Sequence, residues 1–233
     1  NKGSRVHDSI IQKDLLQKNP YLGSSLISMY AKCGSMAMSQ SVFDELWVRD
    51  LVCWNALISG YAQHGLYEKA LDCFDSMQQD SISPNVVTFV CILKACSTLG
   101  YIMPGKLVHC LIVEYGLECD VYVRSSLIDM YASCGSIHDA QNTFIFSSEK
   151  ILVMWNALIS GHAQQGQCYE ALNCFKRMQS DDGLCPDAVT FICILKACGN
   201  AGAIDTGKQI HEEILDRGLL GKNIVLSNTL VDM

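Results

Sequence analysis

A seven-residue string, WNALISG, stands at 54–60 and returns letter for letter at 155–161. Identity over seven positions, Trp included, is far beyond chance. A repeat this exact constrains the fold more than composition does, because it means that one small structural unit is stacked on copies of itself.

Aligning the chain on this pair divides it throughout. Residues 1–19 close one unit, with a helix opening at Gly3, Ser4, Arg5, Val6 and His7. Residues 20–50 form a unit of 31 that carries SLISMYAKCGS at 25–35. Residues 51–85 hold the first WNALISG, and residues 86–120 carry VTF at 87–89, LKAC at 93–96 and GKLVH at 105–109. The triplet then starts again. Residues 121–151 match 20–50, residues 152–187 match 51–85 with one insertion near Asp182 and Gly183, and residues 188–223 match 86–120. Residues 224–233 open another short unit.

Each unit reads as two helices. Trp54, Leu57, Ile58 and Tyr61 recur at i, i+3, i+4 and i+7, one face of a helix, and Gly65 ends it. A second stripe follows in Ala70, Leu71, Phe74 and Met77, and Pro84 closes the unit. Gly34, Gly100, Gly135, Gly166 and Gly202 mark the same break elsewhere. One helical hairpin cannot bury its apolar stripe alone. Stacked hairpins can, which makes the expected fold all-α, an α-solenoid with an extended concave face. Leu57, Ile58, Phe74, Met77 and their repeats are its expected core.

Composition agrees with a folded chain: 49% of residues are hydrophobic and 18% charged. The formal charge of −7 gives no support to nonspecific phosphate binding, yet contacts to bases need no basic surface. The 13 Cys fall at helical, apolar positions, which reads as reduced, buried small hydrophobes. No apolar run reaches the roughly 18–20 residues that span a bilayer, so no membrane partner is expected. The chain starts without Met and stops inside a helical pattern, as a fragment does, and no transit peptide is visible.

These motifs resemble the pentatricopeptide repeat family, and specifically its plant subclass of alternating P, L and S repeats. The P-type signature is WNALISGYAQ at 54–63 with Gly65, then EKAL at 68–71, Phe74, Met77, Pro84 and Asn85. The L type is VTF at 87–89 with ILKAC at 92–96 and GK with Val108 and His109, and the S type is SSLI, MYA and CGS within 24–35 and again within 125–136. Residues 20–50 and 121–151 are thus S-like, 51–85 and 152–187 P-like, and 86–120 and 188–223 L-like. Residues 1–19 and 224–233 are a partial L and a partial S.

The resemblance implies a right-handed superhelix whose groove binds single-stranded RNA in mitochondria or chloroplasts, one base per repeat. It implies that the fifth and last residues of a repeat select the base and that the second packs on the base faces. Carried over by position, Ser24 with Asp50 resembles a guanine reader, Asn55 with Asn85 a pyrimidine reader favouring cytosine, and Asn156 with Asp187 a uracil reader. Ser125 pairs with Ile151, a departure from the usual Asp or Asn, and hints only at a purine. Val90 and Ile192 are apolar at the fifth position, so their units receive no base. Tyr21, Val52, Val87, Tyr122, Val153 and Val189 are the implied stacking residues.

Other readings of these residues stand beside this one. Asn55 and Asn156 also suit a backbone bond at a helix start. The Trp beside each suits packing. Cys91, Cys96 and His109, repeated as Cys193, Cys198 and His211, have a zinc-like spacing, but residues five apart on a helix diverge by ~140° around its axis, so no metal site is expected. His211 and Glu213 match half of a zinc deaminase signature, whose Pro-Cys-x-x-Cys half is absent. No catalytic residue and no cofactor is expected. Any cytidine-to-uridine editing chemistry would come from a deaminase-type domain or editing cofactor, fused downstream or recruited. The rival reading is a tetratricopeptide-like scaffold for protein partners, which shares the Trp, Leu, Tyr, Ala and Phe positions but repeats at 34 without a 31-residue type.

Overall fold

The computed structural model describes residues 20–147, 149–220 and 223–232, so the partial unit at 1–19, with His7, lies outside the described residues. Among the described residues there are thirteen α-helices and no strand. They run as hairpins: α1 (Pro20–Lys32) with α2 (Met36–Glu45), α3 (Leu51–Gln63) with α4 (Tyr67–Gln79), and α5 (Val86–Leu99) followed by α6 (Ile102–Glu114). Next come α7 (Val121–Ser133) with α8 (Ile137–Ile145), α9 (Leu152–Gln164) with α10 (Cys168–Ser180), and α11 (Ala188–Ala201) with α12 (Ile204–Asp216). The first helix of a further hairpin, α13 (Ile224–Asp232), closes the series.

The chain divides into two compact units, Asn1–Leu99 with Lys106–Leu117, and Gly100–Gly105 with Glu118–Met233. Within the first, α3 packs on α1 and α5 on α3, so the first helices of successive hairpins form one layer. Within the second, α7, α9, α11 and α13 stack in the same way. The expected all-α repeat solenoid is what the chain forms.

The turns inside the hairpins explain the regular glycines. At the end of α3, Gly65 takes φ +72°, and Gly166 after α9 takes φ +69°. Gly65 N–H then bonds Ala62 O (3.2 Å) and Leu66 N–H bonds Tyr61 O (2.9 Å); Gly166 and Gln167 repeat both bonds onto Ala163 and His162. This left-handed ending satisfies the last carbonyls and sends the chain straight into the next helix.

The Trp, Leu, Ile and Gly of WNALISG each have a structural use. Trp54 and Trp155 are buried, each with its ring edge-on to a Phe of the preceding hairpin, Phe43 or Phe144, at 4.5 Å. Leu57, Ile58, Leu158 and Ile159 are core, as are Phe74, Met77, Phe175 and Met178. Each such side chain contributes about 1.5–3 kcal/mol by leaving water. The closing Gly lets the first helices approach. A Cβ on Gly60 would fall 2.9 Å from Ala31 Cβ, and one on Gly161 would fall 2.8 Å from both Ala132 Cβ and Ile137 Cδ1.

The cysteines correct one expectation. No disulfide joins them, but only Cys53, Cys96, Cys174, Cys193 and Cys198 are buried, while Cys33, Cys110, Cys119 and Cys185 are exposed. Cys33, Cys119 and Cys185 lie in turns between helices, where no apolar stripe covers them, and Cys110 is on an uncovered face of α6. No helix among the described residues is long and apolar enough to cross a membrane.

Candidate nucleic-acid interface

The second residue of every first helix is apolar and uncovered. Tyr21, Val52, Val87, Tyr122, Val153 and Val189 all stand at that place, from 50% exposed at Val87 to 75% at Tyr21. Val225, second in α13, continues the series, and the sequence reading passed over it because its unit is cut short. Other apolar side chains are also exposed, such as Trp47, Phe146 and Tyr169, but these seven recur at one register, on the first helix of every hairpin.

One helical turn on, at i+3, the fifth residue shares that face. Val52 and Asn55 line the same open cavity of ≈ 260 Å³ between α1 and α3, together with Ser59. Ser59 Oγ lies 3.3 Å from Cys91 Sγ of α5.

Asn55 and Asn156 do not bond a backbone group. Asn55 Nδ2 donates to Asn85 Oδ1 (3.1 Å), and Asn55 Oδ1 accepts from the Thr88 hydroxyl (2.7 Å). Asn85 Oδ1 also accepts the Thr88 N–H (3.2 Å), and the Asn85 N–H donates to Thr88 Oγ1 (3.1 Å). The second copy has the same connections. Asn156 Nδ2 donates to Asp187 Oδ1 (3.2 Å) and the Thr190 hydroxyl to Asn156 Oδ1 (2.7 Å). The Thr190 N–H donates to Asp187 Oδ1 (2.9 Å) and the Asp187 N–H to Thr190 Oγ1 (3.2 Å). Fifth and last residues, about thirty positions apart, are thus joined in both copies. The bonds leave one Asn55 hydrogen and the Asn85 Nδ2 group in the first, and one Asn156 hydrogen and Asp187 Oδ2 in the second.

The other two pairs are not joined. Ser24 Oγ donates to Tyr21 O (3.2 Å), and Asp50 takes the Cys53 N–H (2.9 Å). Ser125 Oγ donates to Tyr122 O (3.0 Å), and Ile151 opens α9 with no side-chain cap bond. The backbone-capping role belongs instead to last residues: Asp50, Asn85, Asp120, Asp187 and Asn223 each accept an N–H of the following helix. Such a cap is worth about 1 kcal/mol. It explains why Asp or Asn closes most units, whatever else that residue does. Thr88 and Thr190, third in α5 and α11, are the site residues that the sequence reading quoted only as parts of a motif.

Among the described residues no group of three or more His, Cys, Asp or Glu is placed to hold a metal ion. Cys91, part of the zinc-like spacing, is half-buried beside Ser59, and burial pushes its thiol pKa up.

The PPR repeat family matches residues 49–98 and 152–219, over half of the chain, and a PPR repeat is matched at residues 24–51. The chain belongs to the pentatricopeptide repeat family. Among its PPR relatives, the pentatricopeptide repeat-containing protein At4g30700 of Arabidopsis thaliana is 40% identical over 212 residues, covering 91% of this chain and 26% of the relative. The mitochondrial pentatricopeptide repeat-containing protein At3g09040 of the same plant is 37% identical over 231 residues, covering 99% of this chain and 22% of the relative. The chain therefore spans about a quarter of the length of these PPR proteins. The PPR10 crystal structure determined with an 18-nt psaJ RNA element superposes with a TM-score of 0.81 at 16% identity, over 98% of this chain and 34% of PPR10, which shows the common fold.

Proposed function

We propose that these repeats bind single-stranded RNA in a sequence-specific way, one base to each P-like or S-like repeat. The observation that carries the reading is the twice-built Asn–Asx–Thr network beside an exposed apolar residue. It is a polar edge of defined hydrogen-bond character next to a surface on which a base can lie. PPR10, of like fold, was crystallised with RNA.

The chemistry of each pair supports its assignment. Asn55 and Asn85 leave N–H groups unused, one Asn55 hydrogen and the Asn85 Nδ2 group, which suit the acceptors N3 and O2 of cytosine. Asn156 leaves a donor and Asp187 an acceptor, which suit the uracil carbonyl and its N3–H. At Ser24 the hydroxyl hydrogen goes to Tyr21, so the Ser24 oxygen and the second Asp50 oxygen remain as acceptors for the N1–H and N2–H of guanine. Ser125 offers the same oxygen with no help from Ile151, so its unit separates purine from pyrimidine at most. Val90 and Ile192 offer nothing to hydrogen-bond. With RNA running 5′ to 3′ from the N- to the C-terminal repeat, the site reads G-C-any-purine-U-any.

The alternation of 31- and 35-residue units supports the P-L-S subclass, with P-like repeats at 51–85 and 152–187. The chain is then the recognition part of an organellar RNA editing or processing factor, without catalysis of its own. It sets the distance from the bound site at which a deaminase-type domain or editing cofactor acts. Two relatives are named mitochondrial, which suits an organellar location, mitochondrion or chloroplast.

Asn85→Asp converts the first P-like pair into the second. Preference at the second base is expected to move from cytosine toward uracil, measured by selection from a randomised RNA pool. An unchanged profile overturns the assignment.

A further inference from the structure

We infer that Thr88 and Thr190 set base discrimination for the repeat preceding their own, by locking which end of the Asn55 and Asn156 amides faces the base. The inference rests on the RNA-reading role proposed above. It adds a positioning residue that touches no base.

A primary amide turned by 180° exchanges a donor for an acceptor at nearly constant shape, so an Asn that can turn over reads opposite base edges equally well. Here the turn is blocked by a chain of polarity that starts in the backbone. The Asn85 N–H cannot reverse its role, and it donates to Thr88 Oγ1 at 3.1 Å. The Thr88 hydrogen must then point elsewhere. Its nearest acceptor is Asn55 Oδ1 at 2.7 Å, closer than Asn85 Oδ1 at 3.1 Å. Asn55 Oδ1 is thereby held on Thr88, and its Nδ2 group, which gives one hydrogen to Asn85 Oδ1, keeps the other for a base. In the second copy the Asp187 N–H, Thr190 and Asn156 repeat the sequence at 3.2 and 2.7 Å. Both threonines are fully buried, so no bulk water can replace the missing hydroxyl.

Among the described residues, this bond from a Thr hydroxyl to a fifth-residue amide follows the two P-like repeats. The helices that follow the two S-like repeats have Cys53 and Met154 at the third position, neither with a hydroxyl. The fifth residues there, Ser24 and Ser125, orient themselves on a carbonyl of their own helix.

The test uses Thr88→Val and Thr190→Val, which keep the shape and remove the hydroxyl, and Thr88→Ser, which restores it. Competition binding with RNAs varied at one base should show T88V losing roughly three- to tenfold in cytosine-over-uracil discrimination at the second base, the size of one neutral hydrogen bond. Other bases should keep their ratios. T190V should lose uracil-over-cytosine discrimination at the fifth base by a similar factor, and T88S should behave as the parent. A uniform loss of affinity with every ratio kept means that the threonines only support the helix caps, and overturns the inference. A second readout needs no RNA: hydrogen exchange of the Asn55 and Asn156 side-chain amides by nitrogen-15 NMR of the unliganded protein. Exchange should quicken at Asn55 in T88V and at Asn156 in T190V. Equal rates in parent and variants overturn the lock. If no variant or parent binds RNA, the RNA-reading role fails while the amide rates still decide the role of the threonines.

Discussion

Asn55 and Thr88 belong to different hairpins and are 33 positions apart, yet one 2.7 Å bond joins them. That distance is why the threonines were illegible in the sequence. Position in the repeat points to a fifth residue and a last residue, but nothing in VTF says that its middle letter faces an amide of the hairpin before. The Asn itself was legible only through the family resemblance, since the same letter suits a helix cap, and the caps turn out to be the last residues. Cysteine shows a second limit. Helical periodicity identifies an apolar stripe but not the turns, where Cys33, Cys119 and Cys185 stand exposed. Thiol chemistry should divide accordingly. Alkylation of the native protein followed by mass mapping should modify Cys33, Cys110, Cys119 and Cys185 first, and Cys53 and Cys174 only on unfolding. Burial, with the Asp50 carboxylate adding to it, pushes the Cys53 thiol from the ordinary 9.0 up to about 12, and burial does the same at Cys73. The folded chain thus disfavours the thiolate. The stability these two thiols contribute is fully present below pH 9.0 and is lost as pH rises toward about 12. Chemical melts at pH 8 and at pH 10.5 should show the lower midpoint at pH 10.5, and a higher one there would contradict the assignment.

At the scale of the element, the hairpin was almost fully readable. Apolar spacing gave both helices, and Gly65 and Gly166 gave the turn between them, because a left-handed residue leaves a compositional mark. The final Gly of WNALISG was less readable, since a glycine inside a helix signals only a weakened helix. The structure gives it the task of bringing α3 against α1 and α9 against α7. Gly161→Ala is expected to cost about 1–3 kcal/mol by overpacking, outweighing the roughly 1 kcal/mol of helix propensity that Ala adds. Gly60→Ala should cost less. Its added methyl also meets the flexible end of Met36, at 3.1 Å, where Gly161 meets Ile137 Cδ1 at 2.8 Å and the Ala132 backbone Cα at 3.3 Å. Thermal unfolding of the two variants checks the order, and equal or raised midpoints would remove the close-approach role.

For the whole molecule, binding strength should come from the number of repeats rather than from charge. The chain carries a formal charge of −7, and base stacking supplies about 1–3 kcal/mol per base before ordering costs. In the proposed reading, the exposed residues from Tyr21 to Val189 are the surfaces on which that stacking would occur, and the selector pairs decide only which base is accepted. The most direct measurement is selection of a randomised single-stranded RNA pool on the purified protein at moderate salt, followed by sequencing. Enrichment of G-C-any-purine-U at this fixed spacing is the expected result. A pool recovered without base preference at the second and fifth positions would contradict base reading by Asn55 with Asn85 and Asn156 with Asp187, and recovery of no RNA would contradict the RNA interface itself.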